Sequence, residues 1–184
     1  MRAALDLVET AGHALVEVDG RVLDELGGLL GPIVLHEAWL AHRDRFQAAP
    51  GSYGPQTRRL LETAALVRVV DYHEAPSRRD ALLPVAELLF ADVDALVGPC
   101  VPFVAPLTTP PFDTPEGVAE GRFTGPYNVT GQPALTLPVE GGVDPLPVGL
   151  QIAGPAGGDD HLLAVAKVLE QCLRTGRAGR PGPA

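Results

Sequence analysis

Six prolines fall between Pro99 and Pro115. Each fixes φ at about −65°, lacks a backbone N–H and pushes the residue before it out of the helical region, so this stretch is barred from forming a helix. It reads as an extended loop laid over the surface. Long irregular loops inside compact domains are often functional, which makes this one the first place to look for a site.

Before the loop the pattern is mostly helical. Leu5, Val8 and Ala11 followed by Gly12 read as the end of a helix, and His13 to Val18 alternates as a short half-buried strand does. A weak helical pattern runs from Asp19-Gly20 to Gly31. Pro32 then suits the first turn of a second helix, which carries Ile33, His36, Glu37 and Leu40 on one side and reaches about Ala48. Pro50 to Gly54 is a loop, and Pro55 opens another helix, with Leu60, Leu61, Ala64 and Val67 at helical spacing. In the helix after it, Arg79, Leu82, Leu83, Ala86, Leu89 and Phe90 recur at intervals of three and four, yet Pro76 and Pro84 sit in the same stretch. An interior proline costs about 3 kcal/mol, which predicts a kink or break near Pro84.

Asp94 to Val97 reads as a buried strand entering the loop. Beyond the loop, Leu135 to Val139 and Val148 to Ala153 are strands rich in Val, Leu and Ile, with turn residues between them that allow a hairpin. Asp159 or Asp160 can cap a last helix whose Leu162, Val165, Ala166, Leu169, Cys172 and Leu173 form one apolar stripe. After Arg174 nothing apolar is left to bury, so residues 175–184 are expected to be a disordered tail on a single domain of residues 1–174.

Charge and composition remove several function classes. Acidic residues outnumber basic ones by 23 to 14, and a net charge of −9 repels phosphate backbones and anionic lipid, so no nucleic acid partner is expected. No apolar run approaches the roughly 20 residues of a membrane helix. Asp6 and Glu9 interrupt the stretch in which a signal peptide would be uniformly apolar, and Cys100 and Cys172 match no metal or redox spacing. A cytoplasmic location with reduced thiols, no membrane and no metal is the expectation.

Residue chemistry alone gives no catalytic centre. His36-Glu37 begins a helical H-E-x-x-H, but Leu40 stands where the second histidine must be. The chain has two serines: Ser52 lacks the G-x-S-x-G context of a nucleophile elbow, and Ser77 reads as a residue at a helix start, where capping is the ordinary role of serine. The glycine pairs at 27–28, 141–142 and 157–158 match no phosphate-binding loop.

One run of motifs goes further. Phe123-Thr124-Gly125-Pro126-Tyr127-Asn128-Val129-Thr130-Gly131-Gln132-Pro133-Ala134 resembles the late motif F-T-x-P-F-N-x-T-G-x-P-A of the amidase-signature family. It runs into Leu135-Thr136-Leu137-Pro138 and then Leu146-Pro147-Val148-Gly149-Leu150-Gln151-Ile152-Ala153-Gly154, similar to the family's S-L-P and L-P-V-G-L-Q-L-x-G. Upstream, Asp94 to Pro102 resembles D-x-L-L-x-P-T-x-P with Cys100 in place of the usual threonine, and Asp71-Tyr72 with Arg79 fits the family's D-Y-x-x-A-x-x-x-R helix. The blocks keep their order and spacing over nearly the whole chain.

The resemblance implies an α/β fold: the C-terminal part of the amidase-signature α/β/α sandwich, a mixed sheet flanked by helices. It implies hydrolysis of carboxamides to a carboxylate and ammonia or an amine, without a cofactor, by a serine, a second serine in a cis peptide bond and a lysine. Those three belong to a glycine- and serine-rich signature in the family's N-terminal half, which this sequence does not contain; Ser52, Ser77 and Lys167 lie in the wrong blocks, so no catalytic residue is carried over. The chain is expected to be inactive alone and to act on a small-molecule amide substrate only when an N-terminal half completes it. The rival readings are one half of a split amidase and a non-catalytic remnant or interaction module, the latter favoured by the prolines at 76 and 84. In the glutamine-using tRNA amidotransferases the arginine and aspartate that hold glutamine align near Gly51 and Gly121, so a generic amidase fits better. Candidate substrate-binding residues are Pro99, Cys100, Pro102, Phe103, Phe123, Tyr127 and Asn128, with scaffold packing as the alternative for each. Half a sandwich leaves strand edges and an apolar face open, so association with a second copy or a partner chain is expected.

Overall fold

The computed structural model describes residues 1–112, 114–139 and 146–178. Helices α1 (Arg2–Thr10), α2 (Arg21–Ala48), α3 (Pro55–Ala64) and α4 (Val69–Leu88) precede strand β1 (Leu96–Pro99). Short helices α5 (Pro115–Ala119) and α6 (Gly125–Thr130), strands β2 (Ala134–Val139) and β3 (Val148–Ala153), and helix α7 (Asp159–Ala178) follow. The sheet order is β1-β3-β2 and both pairings are antiparallel, with Leu96 opposite Ala153 and Leu135 opposite Ile152. β2 and β3 are thus the hairpin read from the sequence. The parallel pairs that would make the sheet mixed are not among the described residues.

Alternation along the strands sends Leu135, Leu137, Val139, Leu150 and Ile152 to one face, where α1 and α7 close a core through Ala4, Val8, Leu162, Ala166, Leu169 and Leu173. Complete burial of Leu150 and Ile152 contributes about 1.5–3 kcal/mol each. On the other face Leu96 and Ala153 pack with Phe90, Leu23 and Tyr127. Behind that contact α2, α4 and α6 meet through Val22, Leu26, Leu29, Ala75, Ala86 and Val129. Helices therefore cover both faces of the sheet, the α/β/α layering expected from the sequence.

The hydrogen-bond phase of each edge strand follows from one bond. The Cys100 N–H donates to the Gly149 carbonyl at 3.0 Å, so Leu96 and Gly98 also point their backbone groups at β3, while Val97 and Pro99 point away from the sheet. On β2 the Gly154 N–H donates to the Pro133 carbonyl at 3.0 Å, which leaves Ala134, Thr136 and Pro138 pointing outward. A proline thus occupies an outward position on each edge of the sheet that the described strands form, where its missing N–H breaks no bond of the ladder.

Several local expectations are corrected. α2 is one helix of 28 residues that runs through Pro32, not two; Leu26 and Leu29 before the proline and Ile33 after it pack into the same cluster, so tertiary contacts hold both sides in line. α4 likewise contains Pro76 and Pro84 without a break, anchored by buried Ala75 and Ala86 beside the two prolines. Ser77 therefore lies inside α4 and not at a helix start. His13 to Val18 is not a strand, because it has no ladder partner. Asp159 and Asp160 stand in the first turn of α7, where their charge complements the helix dipole. That helix continues through residues 175–178, where composition predicts the start of a disordered tail. The remaining tail positions, 179–184, lie outside the described residues.

Among its described residues, the proline segment forms no helix or strand between the end of β1 and Pro115, which begins α5. Thr114 starts that helix by accepting the Gly117 N–H on its hydroxyl at 3.1 Å.

Candidate functional site

A cleft of about 820 Å³ opens beside the outer edge of β1, between the extended segment around His13 to Asp19, the strand itself and α6. α6 owes its length to its flanking residues. Pro126 fits the first turn, and Gly131, at φ 74°, takes the left-handed conformation that ends the helix, its N–H donating to the Tyr127 carbonyl at 2.9 Å. The helix lies tightly on α2: a Cβ on Gly125 would stand 3.3 Å from Leu30 Cδ2, and one on Gly27 3.5 Å from the Pro126 ring. This close seating brings Phe123 and Tyr127, four residues apart, to the same cleft.

The seven candidate residues divide between two places. Pro99, Phe123 and Tyr127 line the cleft together. Asn128 does not; its side-chain amide donates to the Thr124 carbonyl at 3.0 Å and stays on its own helix. Cys100 sits on the sheet above Gly149, its sulfur accepting the Thr136 hydroxyl at 3.3 Å. Pro102 and Phe103 follow in the irregular segment beyond the strand and are not on the cleft wall.

Three features of the cleft are not singled out by the sequence. Gln151, only 6% exposed, lies on its wall. Its signal is the polar residue between Leu150 and Ile152, which alternation alone would assign to a solvent face. Gly98, paired with Gln151 across the β1–β3 ladder, has open space where a Cβ would be, so the strand does not cover that amide. At the mouth Arg122 pairs with Asp24 at 3.3 Å and lies 5.6 Å from the centre of the Phe123 ring. Both charged groups are more than half exposed, so water screens the pair and its contribution is small.

Burial pushes the Tyr127 phenol above its ordinary value, favouring the neutral, hydrogen-bonding form. On the exposed rim the hydrogen bonds from Arg21 hold the Asp19 carboxyl below the usual range. No serine or lysine lines the cleft. The Ser52 hydroxyl donates to the Ala49 carbonyl at 2.8 Å in an exposed turn, and Ser77 on α4 and Lys167 on α7 are exposed. Among the described residues no group of three or more His, Cys, Asp or Glu is placed to hold a metal ion. The arrangement offers a largely apolar wall with a neutral amide and a neutral phenol, suited to binding an uncharged polar group rather than to attacking one.

Comparison with known proteins gives a consistent result. The family model described as Amidase matches residues 1–163. An amidase of Pseudomonas putida is 32% identical over 145 residues, covering 75% of this chain and 31% of that protein. A glutamyl-tRNA(Gln) amidotransferase polypeptide of Salinispora arenicola is 35% identical over 127 residues, covering 66% of this chain and 26% of that protein. A solved amidase structure superposes with a TM-score of 0.78 at 27% identity, over 94% of this chain and 42% of its own. The chain thus spans under a third of the length of these two curated relatives.

Proposed function

The chain belongs to the amidase family, and from that premise we propose that it is the C-terminal portion of an amidase hydrolysing carboxamide C–N bonds to a carboxylate and ammonia or an amine. The observation that carries this reading is the folded form of the Phe123 to Ala134 motif. Its helix, left-handed glycine and strand bring Phe123 and Tyr127 to the cleft beside Pro99. In this role the chain supplies scaffold and one wall of the substrate pocket, an apolar surface that keeps water from the amide while the Tyr127 phenol and Gln151 orient it.

The nucleophile and its base come from a segment outside this sequence. The positions of Ser52, Ser77 and Lys167, each exposed and none on the cleft wall, support that assignment. Gly51 and Gly121, near the places of the glutamine-holding arginine and aspartate, support a generic amidase over a glutamine-using transferase. The reading as a remnant leans on prolines breaking a helix, and α4 is continuous. A cytoplasmic enzyme is proposed; no helix among the described residues is long and apolar enough to cross a membrane.

Ammonia release from a panel of aliphatic and aromatic amides tests the proposal. The chain alone is expected to give none, for want of an activated nucleophile. Co-expression with the N-terminal part of a homologous amidase is expected to give turnover. Hydrolysis by the chain alone that disappears in Ser52→Ala or Ser77→Ala would sink it.

A further inference from the structure

The geometry points to a second binding site, away from the cleft, in which Arg45 and Arg58 hold a small oxyanion, a carboxylate or a phosphate, beside Tyr53. Residues 42–59 carry four arginines against one acidic residue, Asp44, a local charge of +3 with histidine neutral in a chain of −9. They join α2 to α3 through a short 3-10 turn, Pro50–Ser52, and Tyr53 is the residue on which their side chains converge. The Arg45 guanidinium lies 5.7 Å from the centre of its ring, His42 Nδ1 lies 3.2 Å from its hydroxyl, and Arg58 Nη2 donates to its carbonyl at 3.5 Å. None of these side chains lines the cleft, so an ion held here is independent of the chemistry proposed there.

Charge pairing sets these two arginines apart. Six other arginines hold a carboxylate within 4.0 Å. Arg45 and Arg58 hold none among the described residues, although the chain has 23 acidic residues to choose from. Arg58 is also short of acceptors. It is half-buried, its one side-chain hydrogen bond is long, and its Nε is the single buried side-chain nitrogen or oxygen among the described residues that has no partner. An unpaired buried donor on a charged group is costly, and in a native fold such a group marks where an ion or a water is taken up. An oxyanion is the ligand that suits it, because a guanidinium binds carboxylate and phosphate in its own plane through paired N–H donors. The start of α3 agrees in sign, with no acidic residue in its first turn. Arg45 is exposed, and an ion arriving beside it is expected to draw the Arg58 fork off its long bond and into a paired one.

The probes are inorganic phosphate and succinate, each titrated into the isotope-labelled full chain and followed by NMR. Ionic strength is held at about 0.15 M with sodium chloride, which screens loose surface attraction. The Nε–H signals of Arg45 and Arg58 are expected to move together and to saturate with a Kd below about 5 mM, while those of Arg79 and Arg174, each paired with a carboxylate, stay in place. Arg45→Gln and Arg58→Gln should each raise that Kd at least about five-fold. Arg58→Lys, which keeps the charge and loses the planar fork, should raise it as well, and Arg79→Gln should leave it unchanged. Circular dichroism checks that each variant is folded; Arg45 is exposed, so Arg45→Gln carries the test if Arg58→Gln does not fold. Saturation by phosphate alone assigns the site to phosphorylated ligands, by succinate alone to carboxylates, and by both to oxyanions of either kind. Shifts that stay linear in concentration, or that Arg79 and Arg174 share, would mean an adventitious ion only and would overturn the proposal. So would a Kd that neither Arg45→Gln nor Arg58→Gln changes.

Discussion

Gly149→Ala tests whether the glycine of the L-P-V-G-L-Q block is there for packing. On the central strand, a Cβ at this position would stand 2.7 Å from Thr136 Cγ2 on one neighbour and 2.8 Å from Cys100 Cβ on the other. Carbon atoms rest at about 3.5–4.0 Å, so each contact is short by most of an ångström. Cys100 Cβ is fixed to its backbone and cannot turn away. Thr136 can rotate its methyl, but only by withdrawing its hydroxyl from the Cys100 sulfur. Overpacking of this kind costs about 1–3 kcal/mol. Reduced freedom of the unfolded chain returns about 0.4–1 kcal/mol. The net loss is about 1–2 kcal/mol, or about 2–8 °C in Tm for a chain of this length. Thermal unfolding followed by circular dichroism measures it. In a Thr136→Ser background, which removes the methyl and keeps the hydroxyl, Gly149→Ala should cost about half as much, as expected for residues in contact. An unchanged Tm, or an equal loss in both backgrounds, would refute the reasoning.

Gln132→Leu should cost about 1–3 kcal/mol in chemical unfolding, because the buried Gln132 amide donates to Glu87 at 2.7 Å and its loss leaves that half-buried carboxylate with only the long bond from the Ala156 N–H; no loss would show that water takes its place. Pro84→Ala should raise Tm, since α4 runs through Pro84 and the variant regains a helical N–H; an unchanged or lower Tm would show that the helix already accommodates the ring at no cost. An absorbance titration should show a tyrosine ionising above the ordinary value of 10.0, and Tyr127→Phe should remove that late step. Its folded pKa is raised above the ordinary value of 10.0, so its contribution to stability is complete below that pH and is lost as pH climbs through the folded value. A flat difference in stability between wild type and Tyr127→Phe above pH 10.0 would contradict the assignment.

Motif and apolar alternation make much of the fold readable in advance. The hairpin, the α7 stripe and the layering follow from side chains whose spacing fixes which way they face. The prolines mislead, because a sequence pattern registers the lost hydrogen bond at Pro32, Pro76 or Pro84 and not the burial of Leu26, Leu29, Ala75 and Ala86 that holds each helix together. His13 to Val18 has the alternation of a strand and lacks only a neighbour, which no local pattern reports. Of the site, Pro99, Phe123 and Tyr127 are legible as motif residues that meet at one cleft. Gln151 is not, since β3 is covered on both faces and the usual rule that a polar residue in a strand faces water fails there.

The two outward prolines stand at the same end of the sheet, Pro99 opposite Leu150 and Pro138 opposite Gly149. Edge-to-edge growth into fibrils requires a run of six or seven residues that can hand donors to the next molecule without a gap. β1 has one such donor before its proline, at Val97, and β2 has two, at Ala134 and Thr136. Neither edge can template a long ladder of its own kind, so the described sheet is guarded against polymerising with itself.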